Sequence, residues 1–221
     1  MNNKQVPIQY RGLLTVAQLP RNNQEAFNFD YYDITPIDHD YAGQFQLKAN
    51  HVFRKLGLPI GFVMMVGNPE KTADIYEALR HDSRYLGGGT GSGFKNRAPA
   101  VLDELDPLAK LIGAINVVVK VNGRLRGYNT DGLGFVKGLQ ELLRERRKIT
   151  TVAGLRILIL GAGGTADAIA FTLAAGGAIL TIINRTAAKA ENLAERICQA
   201  YGQVAFGGGE EIMAEHLANR T

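Results

Sequence analysis

Apolar positions change period several times along the chain, and each change predicts an element. From 46 to 56, QLKANHVFRKL places Leu47, Val52, Phe53 and Leu56 at helical spacing, and Gly57 is a fitting stop. The continuous run PIGFVMMV predicts a buried strand, and KTADIYEALRH a helix, so an α/β layer begins here. PAVLDELDPLAKLIG predicts a helical segment in two pieces around Pro107. AINVVVKVNGRLRGYN reads as strand, NG turn and returning strand, a hairpin. From Gly132 onward Phe135, Val136, Leu139, Leu142 and Leu143 form one helical stripe, with Lys137, Glu141, Arg144 and Arg147 off it. Residues 1–28 sustain neither period.

The texture shifts near residue 150. LRILIL is a short continuous apolar run suited to a strand covered on both faces. GAGGTADAIAFTLAAGG is a glycine turn entering a small-residue helix, AILTII a second buried strand, and NRTAAKAENLAERICQAY another helix. This is a βαβ unit. A second glycine-rich stretch, YLGGGTGSGFKNRAP, has five glycines between 87 and 93 and predicts a loop, either one that approaches a ligand closely or a mobile surface loop.

Composition narrows the function classes. With 221 residues, 46% hydrophobic and 21% charged, the chain is globular and long enough for one large domain or two small ones. The net charge of +4 is scattered except in RERRKI at 144–149, a solvated helix end rather than a nucleic-acid surface. The N-terminus lacks a signal-like apolar run, and no stretch reaches membrane-spanning length. The single Cys198 cannot form an internal disulfide, so a soluble cytoplasmic protein is expected. His39, His51, His81 and His216 show no metal-ligand spacing, and no metal is implied. Oligomeric state is not legible in the pattern, which leaves a homodimer open.

The candidate chemistry lies in three places. GAGG, Gly161, Ala162, Gly163 and Gly164, stands between strand and helix, where backbone N–H groups and the helix N-terminus suit a pyrophosphate. After the second strand, where an NAD site carries an acid for the ribose, this chain has Asn184, Arg185 and Thr186, with Lys189 one turn later. The Arg185 fork suits the extra phosphate of NADP, against the reading of a plain surface arginine. Thr130 or Asp131, in YNTDG at the start of the striped helix, would cap that helix, and Asp131 is either that cap or an acid facing a reaction site.

GAINVVVKVNGRLRGYNTDGLGF, LGAGGTADAIAF and NRTAAKAENLAERI together resemble shikimate dehydrogenase, including its quinate/shikimate relatives, in order from about residue 84 to 205. The resemblance implies an α/β fold with an N-terminal substrate-binding domain over residues 1–131 and a Rossmann-like NADP-binding domain over 132–221. It implies NADP-dependent interconversion of 3-dehydroshikimate and shikimate, a small-molecule substrate with no nucleic-acid or membrane partner. Lys95, followed by NRAPAV and LDEL, takes the family's catalytic lysine position; Asp131 takes the catalytic aspartate's, and Asn116 in GAIN that of a substrate-binding asparagine. Hydride transfer at a ring carbon requires proton movement on the same oxygen, which is work for such a lysine and its carboxylate neighbour.

Three departures set a rival reading, a quinate-type paralogue or a nucleotide-binding relative without turnover. The family's NVTxPHK is replaced by Gly89, Thr90, Gly91, Ser92, Gly93, Phe94 and Lys95, which predicts a loosely held lysine. The family's early PIxHSxSP corresponds to PIDHDYAG at 36–43, with Asp40 and Ala42 in place of carboxylate-holding serines and Asn50 as the later asparagine. The nucleotide domain ends after three strands, so a chain cut short, with an apolar edge on LRILIL and poor solubility, is expected.

Overall fold

The computed structural model describes residues 8–16, 30–39, 44–202 and 204–212. The chain divides into two compact units, residues 1–129 and 130–221, each with its own sheet.

The first unit runs β1 (Leu14–Val16), β2 (Tyr31–Ile37), α1 (Gln44–Lys55), β3 (Ile60–Gly67), α2 (Thr72–His81), β4 (Tyr85–Gly89), β5 (Glu104–Leu105), α3 (Pro107–Ile112), β6 (Val117–Val121) and β7 (Arg124–Tyr128). Its strands lie in the order β1-β3-β2-β4-β6-β7-β5. β2 pairs in parallel with both β3 and β4, because α1 and α2 carry the chain back over the sheet between them. β6 and β7 form the predicted hairpin, with Asn122 and Gly123 at φ 51° and 79° in its turn.

The run PIGFVMMV is apolar throughout because β3 is covered on both faces. Val63 and Met65 pack with Ile34, Ile75, Tyr76, Leu79 and Phe94, whereas Phe62 and Met64 join Ile37 in a second cluster against Phe53. Beyond its pairing with β1, β3 is finished by side chains from α1. Asn50 accepts from the Phe62 amide at 2.8 Å and donates to its carbonyl at 2.9 Å, and Gln46, one turn earlier, accepts from the Met64 amide at 2.9 Å.

Two readings of the first unit need correction. The stretch from Tyr85 is not wholly a loop: Tyr85–Gly89 is the interior strand β4, with Gly87, Gly88 and Gly89 opposite Val119, Val118 and Val117 of β6. A Cβ on Gly88 would stand 2.2 Å from the Ile34 carbonyl oxygen, and one on Gly87 2.4 Å from that of Val118, so these glycines let three backbones crowd together. The pairing with β2 also shifts register between Tyr32 and Asp33. Second, the piece before Pro107 is not an α-helix but a 3-10 turn, Ala98–Val101, followed by β5, since Asp103 and Asp106 bond their amides to the Leu125 and Gly127 carbonyls of β7.

The second unit runs α4 (Asp131–Arg147), β8 (Arg156–Leu160), α5 (Gly164–Ala175), β9 (Ile179–Ile183), α6 (Ala187–Tyr201) and β10 (Ala205–Gly208). Its three strands are parallel in the order β10-β9-β8, the start of a Rossmann-like layer. Ala168, Phe171 and Leu173 of α5, Leu180 and Ile182 of β9, and Leu193 and Ile197 of α6 are its buried centre. α4 lies so close to α5 that a Cβ on Gly132 would come within 2.2 Å of the Ala168 carbonyl oxygen.

Here too the apolar pattern overstated burial. β8 is half-buried rather than covered on both faces: it pairs with β9 along one edge, no other described strand pairs with it, and Leu160 is 71% exposed. On α4 only Gly132 and Val136 are buried, while Phe135 and Leu142 of the stripe are exposed.

Candidate functional site

The parallel strands β2, β3 and β4 all end at one edge of the first sheet, where ligand sites of α/β sheets gather. Lys95 stands in the turn that follows β4. Asn116 immediately precedes β6, whose first residue Val117 lies opposite Gly89, so both residues belong to the same sheet edge.

The Lys95 turn is tightly held, contrary to the reading drawn from its missing proline. The Phe94 ring is fully buried in the main core, and its carbonyl accepts from the Arg97 and Ala98 amides at 3.0 and 2.9 Å. The Gly91 amide donates to the Pro36 carbonyl at 2.9 Å, and the Lys95 carbonyl accepts from the Ile115 amide at 3.0 Å. Asn116 is fixed through its backbone, accepting from the Thr90 amide at 2.8 Å and donating to the Tyr128 carbonyl at 2.9 Å.

Three contributors to this edge were not singled out from the sequence. Asn129, buried, donates through Nδ2 to the Ala114 carbonyl at 3.1 Å and ties the end of the hairpin to the segment bearing Asn116. Thr90, also buried, has its hydroxyl 2.9 Å from that of Tyr76. Asp33 of β2 has an Oδ1 shut away from solvent without a hydrogen-bond partner, and burial pushes its carboxyl up to about 7 against a smaller lowering by the Gly89 amide. The lone β-strand aspartate in YYDITPI was the available signal, an acid amid apolar neighbours.

Asn50 is occupied with the β3 backbone rather than presented at the sheet edge. Asp40 and Ala42 lie outside the described residues.

In the second unit, Asp131 is the first residue of α4. Thr130 holds the N-cap position without a side-chain capping bond, and the Asp131 carboxylate stands in the first turn, where a negative charge is favoured by the helix dipole. α5 starts at Gly164 with Gly163 as its N-cap, again with no side-chain capping bond. Gly161 takes φ 115°, a conformation that favours glycine, and Cβ atoms built on Gly161 or Gly163 would meet nothing within 4 Å. The turn is braced from β9: the Gly161 amide donates to the Ile183 carbonyl at 2.7 Å, and the Ala162 amide to Asn184 Oδ1 at 3.3 Å. Asn184 Nδ2 donates in turn to the Thr186 carbonyl at 3.0 Å. Arg185, Thr186 and Lys189 are exposed beside this brace. The arrangement is an open backbone cradle at a helix N-terminus flanked by two cationic side chains, which fits a phosphorylated dinucleotide.

Among the described residues, no group of three or more His, Cys, Asp or Glu side chains is placed to hold a metal ion, and no helix is long and apolar enough to cross a membrane.

Comparison with known proteins gives matches in both units. A family model described as the shikimate dehydrogenase substrate binding domain matches residues 36–118, and one described as shikimate / quinate 5-dehydrogenase matches residues 144–216. A shikimate dehydrogenase (NADP(+)) of Bacillus cereus is 41% identical over 161 residues, 62% of this chain and 55% of the relative. Another, from Methanothermobacter thermautotrophicus, is 38% identical over 179 residues, 80% of this chain and 59% of the relative. A crystal structure of a shikimate dehydrogenase in complex with NADP+ superposes with a TM-score of 0.73 at 30% identity, covering 90% of this chain and 66% of that one. The chain thus spans a little over half the length of these two curated relatives.

Proposed function

Because this chain belongs to the shikimate dehydrogenase family, we propose that it carries the NADP cradle and the proton-handling residues of an enzyme interconverting shikimate and 3-dehydroshikimate. The observation that carries the proposal is the braced, open glycine turn at Gly161–Gly164 beside exposed Arg185 and Lys189. The relatives named for NADP and the neighbour solved with NADP+ support the same cofactor.

The nicotinamide cofactor supplies the hydride chemistry when bound. Backbone N–H groups of Gly163 and Gly164 would hold its pyrophosphate, and Arg185, Thr186 and Lys189 its ribose phosphate. Asn184 keeps the glycine turn and the basic strand end in one piece. On the substrate side, Asn116 would bind a ring hydroxyl, and Lys95 would give or take the proton of the oxygen at the reacting carbon. Asp131, at the family's catalytic aspartate position, would accept a hydrogen bond from a substrate hydroxyl. A reducing, cytoplasmic setting accords with the single Cys198, whose thiol points at the Ala205 carbonyl, 3.3 Å away.

The Lys95 turn is well held, but Gly89 and Gly91 stand where the family has an asparagine and a threonine, and this loss of polar side chains motivates a second reading, a nucleotide-binding relative without turnover. NADP reduction assayed with shikimate and with quinate, on this chain and on Lys95→Ala, separates the two. Turnover of shikimate lost in Lys95→Ala supports the dehydrogenase. NADP binding without turnover of either acid supports the second reading, and preference for quinate reassigns the substrate.

A further inference from the structure

Beneath the Lys95 turn lies a buried hydroxyl pair that the proposed chemistry does not use. Tyr76, on the inner face of α2, is fully buried, and its hydroxyl meets that of Thr90 at 2.9 Å, fourteen residues along the chain. Thr90 is the first residue after β4, and its amide donates to the Asn116 carbonyl at 2.8 Å. The neighbouring Ile115 amide donates to the Lys95 carbonyl at 3.0 Å. One continuous run of contacts thus leads from α2 through Thr90 to Asn116, and from the adjacent Ile115 to Lys95.

The surroundings explain why such a tie is wanted. Between Gly87 and Gly93 this chain has five glycines and no proline, so the backbone entering the Lys95 turn has little stiffness of its own. Thr90 is one of two residues between Gly89 and Gly93 that carry a side chain, and the one that is buried. A hydroxyl shut in the core is costly to leave unpaired, and the Tyr76 hydroxyl gives Thr90 a partner in one backbone position.

We propose that Tyr76 and Thr90 are positioning residues: their hydroxyl pair locks the glycine-rich segment so that Asn116 and the Lys95 turn keep one arrangement at the sheet edge. The inference rests on the reading of Lys95 and Asn116 as substrate residues, but the lock itself can be tested without that reading.

Amide hydrogen exchange of Thr90 and Ile115, measured by NMR on the full chain, reads the lock directly. Shikimate affinity measured by calorimetry reads its consequence. Tyr76→Phe is expected to speed exchange at these two amides by roughly three- to tenfold, the equivalent of one net hydrogen bond, while amides of β9 stay as in the wild type. Shikimate affinity should fall by a similar factor with NADP affinity unchanged. Thr90→Ser, which keeps the hydroxyl, should retain wild-type exchange, and Thr90→Ala should reproduce Tyr76→Phe should the latter fold poorly. Unchanged exchange at Thr90 and Ile115 in both truncating variants, or an increase equal across the whole first unit, would overturn the proposal. A wild-type chain that shows the lock yet binds no shikimate would leave the lock standing and sink the functional reading instead.

Discussion

The two glycine-rich stretches of this chain have similar composition and opposite geometry. At Gly87–Gly89 the added Cβ atoms would strike backbone or the Thr35 side chain at 2.2 to 2.7 Å, whereas at Gly161 and Gly163 they would meet nothing within 4 Å. The first run lets three strands crowd together and ends at a turn held by the buried Phe94. The second keeps a helix N-terminus open. Glycine in a strand interior and glycine at a strand-to-helix turn thus serve packing and access respectively, and only the surroundings tell them apart.

This contrast is broken most forcefully by adding one methyl group to each run. Gly88→Ala drives a Cβ into the Ile34 carbonyl and should destabilise the first unit by about 3 kcal/mol or more, read as a large fall in denaturant midpoint. Gly163→Ala enters open space at an N-cap with φ −108° and should change stability by less than about 1 kcal/mol. If Gly163→Ala were the more damaging of the two, the assignment of packing to one run and access to the other would be reversed.

The packed region carries a second, pH-dependent signature. Asp33 has its carboxyl raised to about 7 by burial, against about 3.9 in an unfolded chain. A group raised on folding contributes stability that is full below the unfolded value and lost as pH rises through the folded one. Wild-type stability should therefore fall between about pH 4 and pH 7 by roughly 2–4 kcal/mol, and Asp33→Asn should remove most of that slope. Equal slopes in the two proteins, measured by urea unfolding across the range, would place the buried proton elsewhere.

Smaller effects sharpen the open region. Arg185→Ala should weaken NADP about tenfold and leave NAD within roughly twofold, since a charge-assisted contact to one phosphate is removed. Calorimetric titration of both nucleotides checks this; equal losses would mean that Arg185 does not read the extra phosphate.

The fold was legible where local chemistry and burial agree. The period of KTADIYEALRH, the NG turn between Val121 and Arg124, and the GAGG turn between β8 and α5 each carry their own backbone signal, and each forms the expected element. The pattern misled where apolar content and burial part company. LRILIL forms a strand with the apolar edge expected of it, paired among the described residues with β9 alone, but its partly exposed faces follow from its neighbours and not from its own residues. In the candidate site, Lys95 and Asn116 emerged only through family resemblance, because a loop lysine and a pre-strand asparagine have no period to betray them. Tyr76 and Thr90 were invisible for a related reason: a tyrosine on a helix stripe reads as core, and the partner of its hydroxyl is set by tertiary packing.

Backbone amide shifts followed by NMR while NADP is titrated into the full chain test the distinction between the two glycine runs most directly. Large changes are expected at Gly161, Gly163 and Gly164 and at Arg185 and Thr186, with Gly87, Gly88 and Gly89 unmoved. Shifts confined to the segment 87–93, or none at 161–164 at saturating nucleotide, would contradict that distinction.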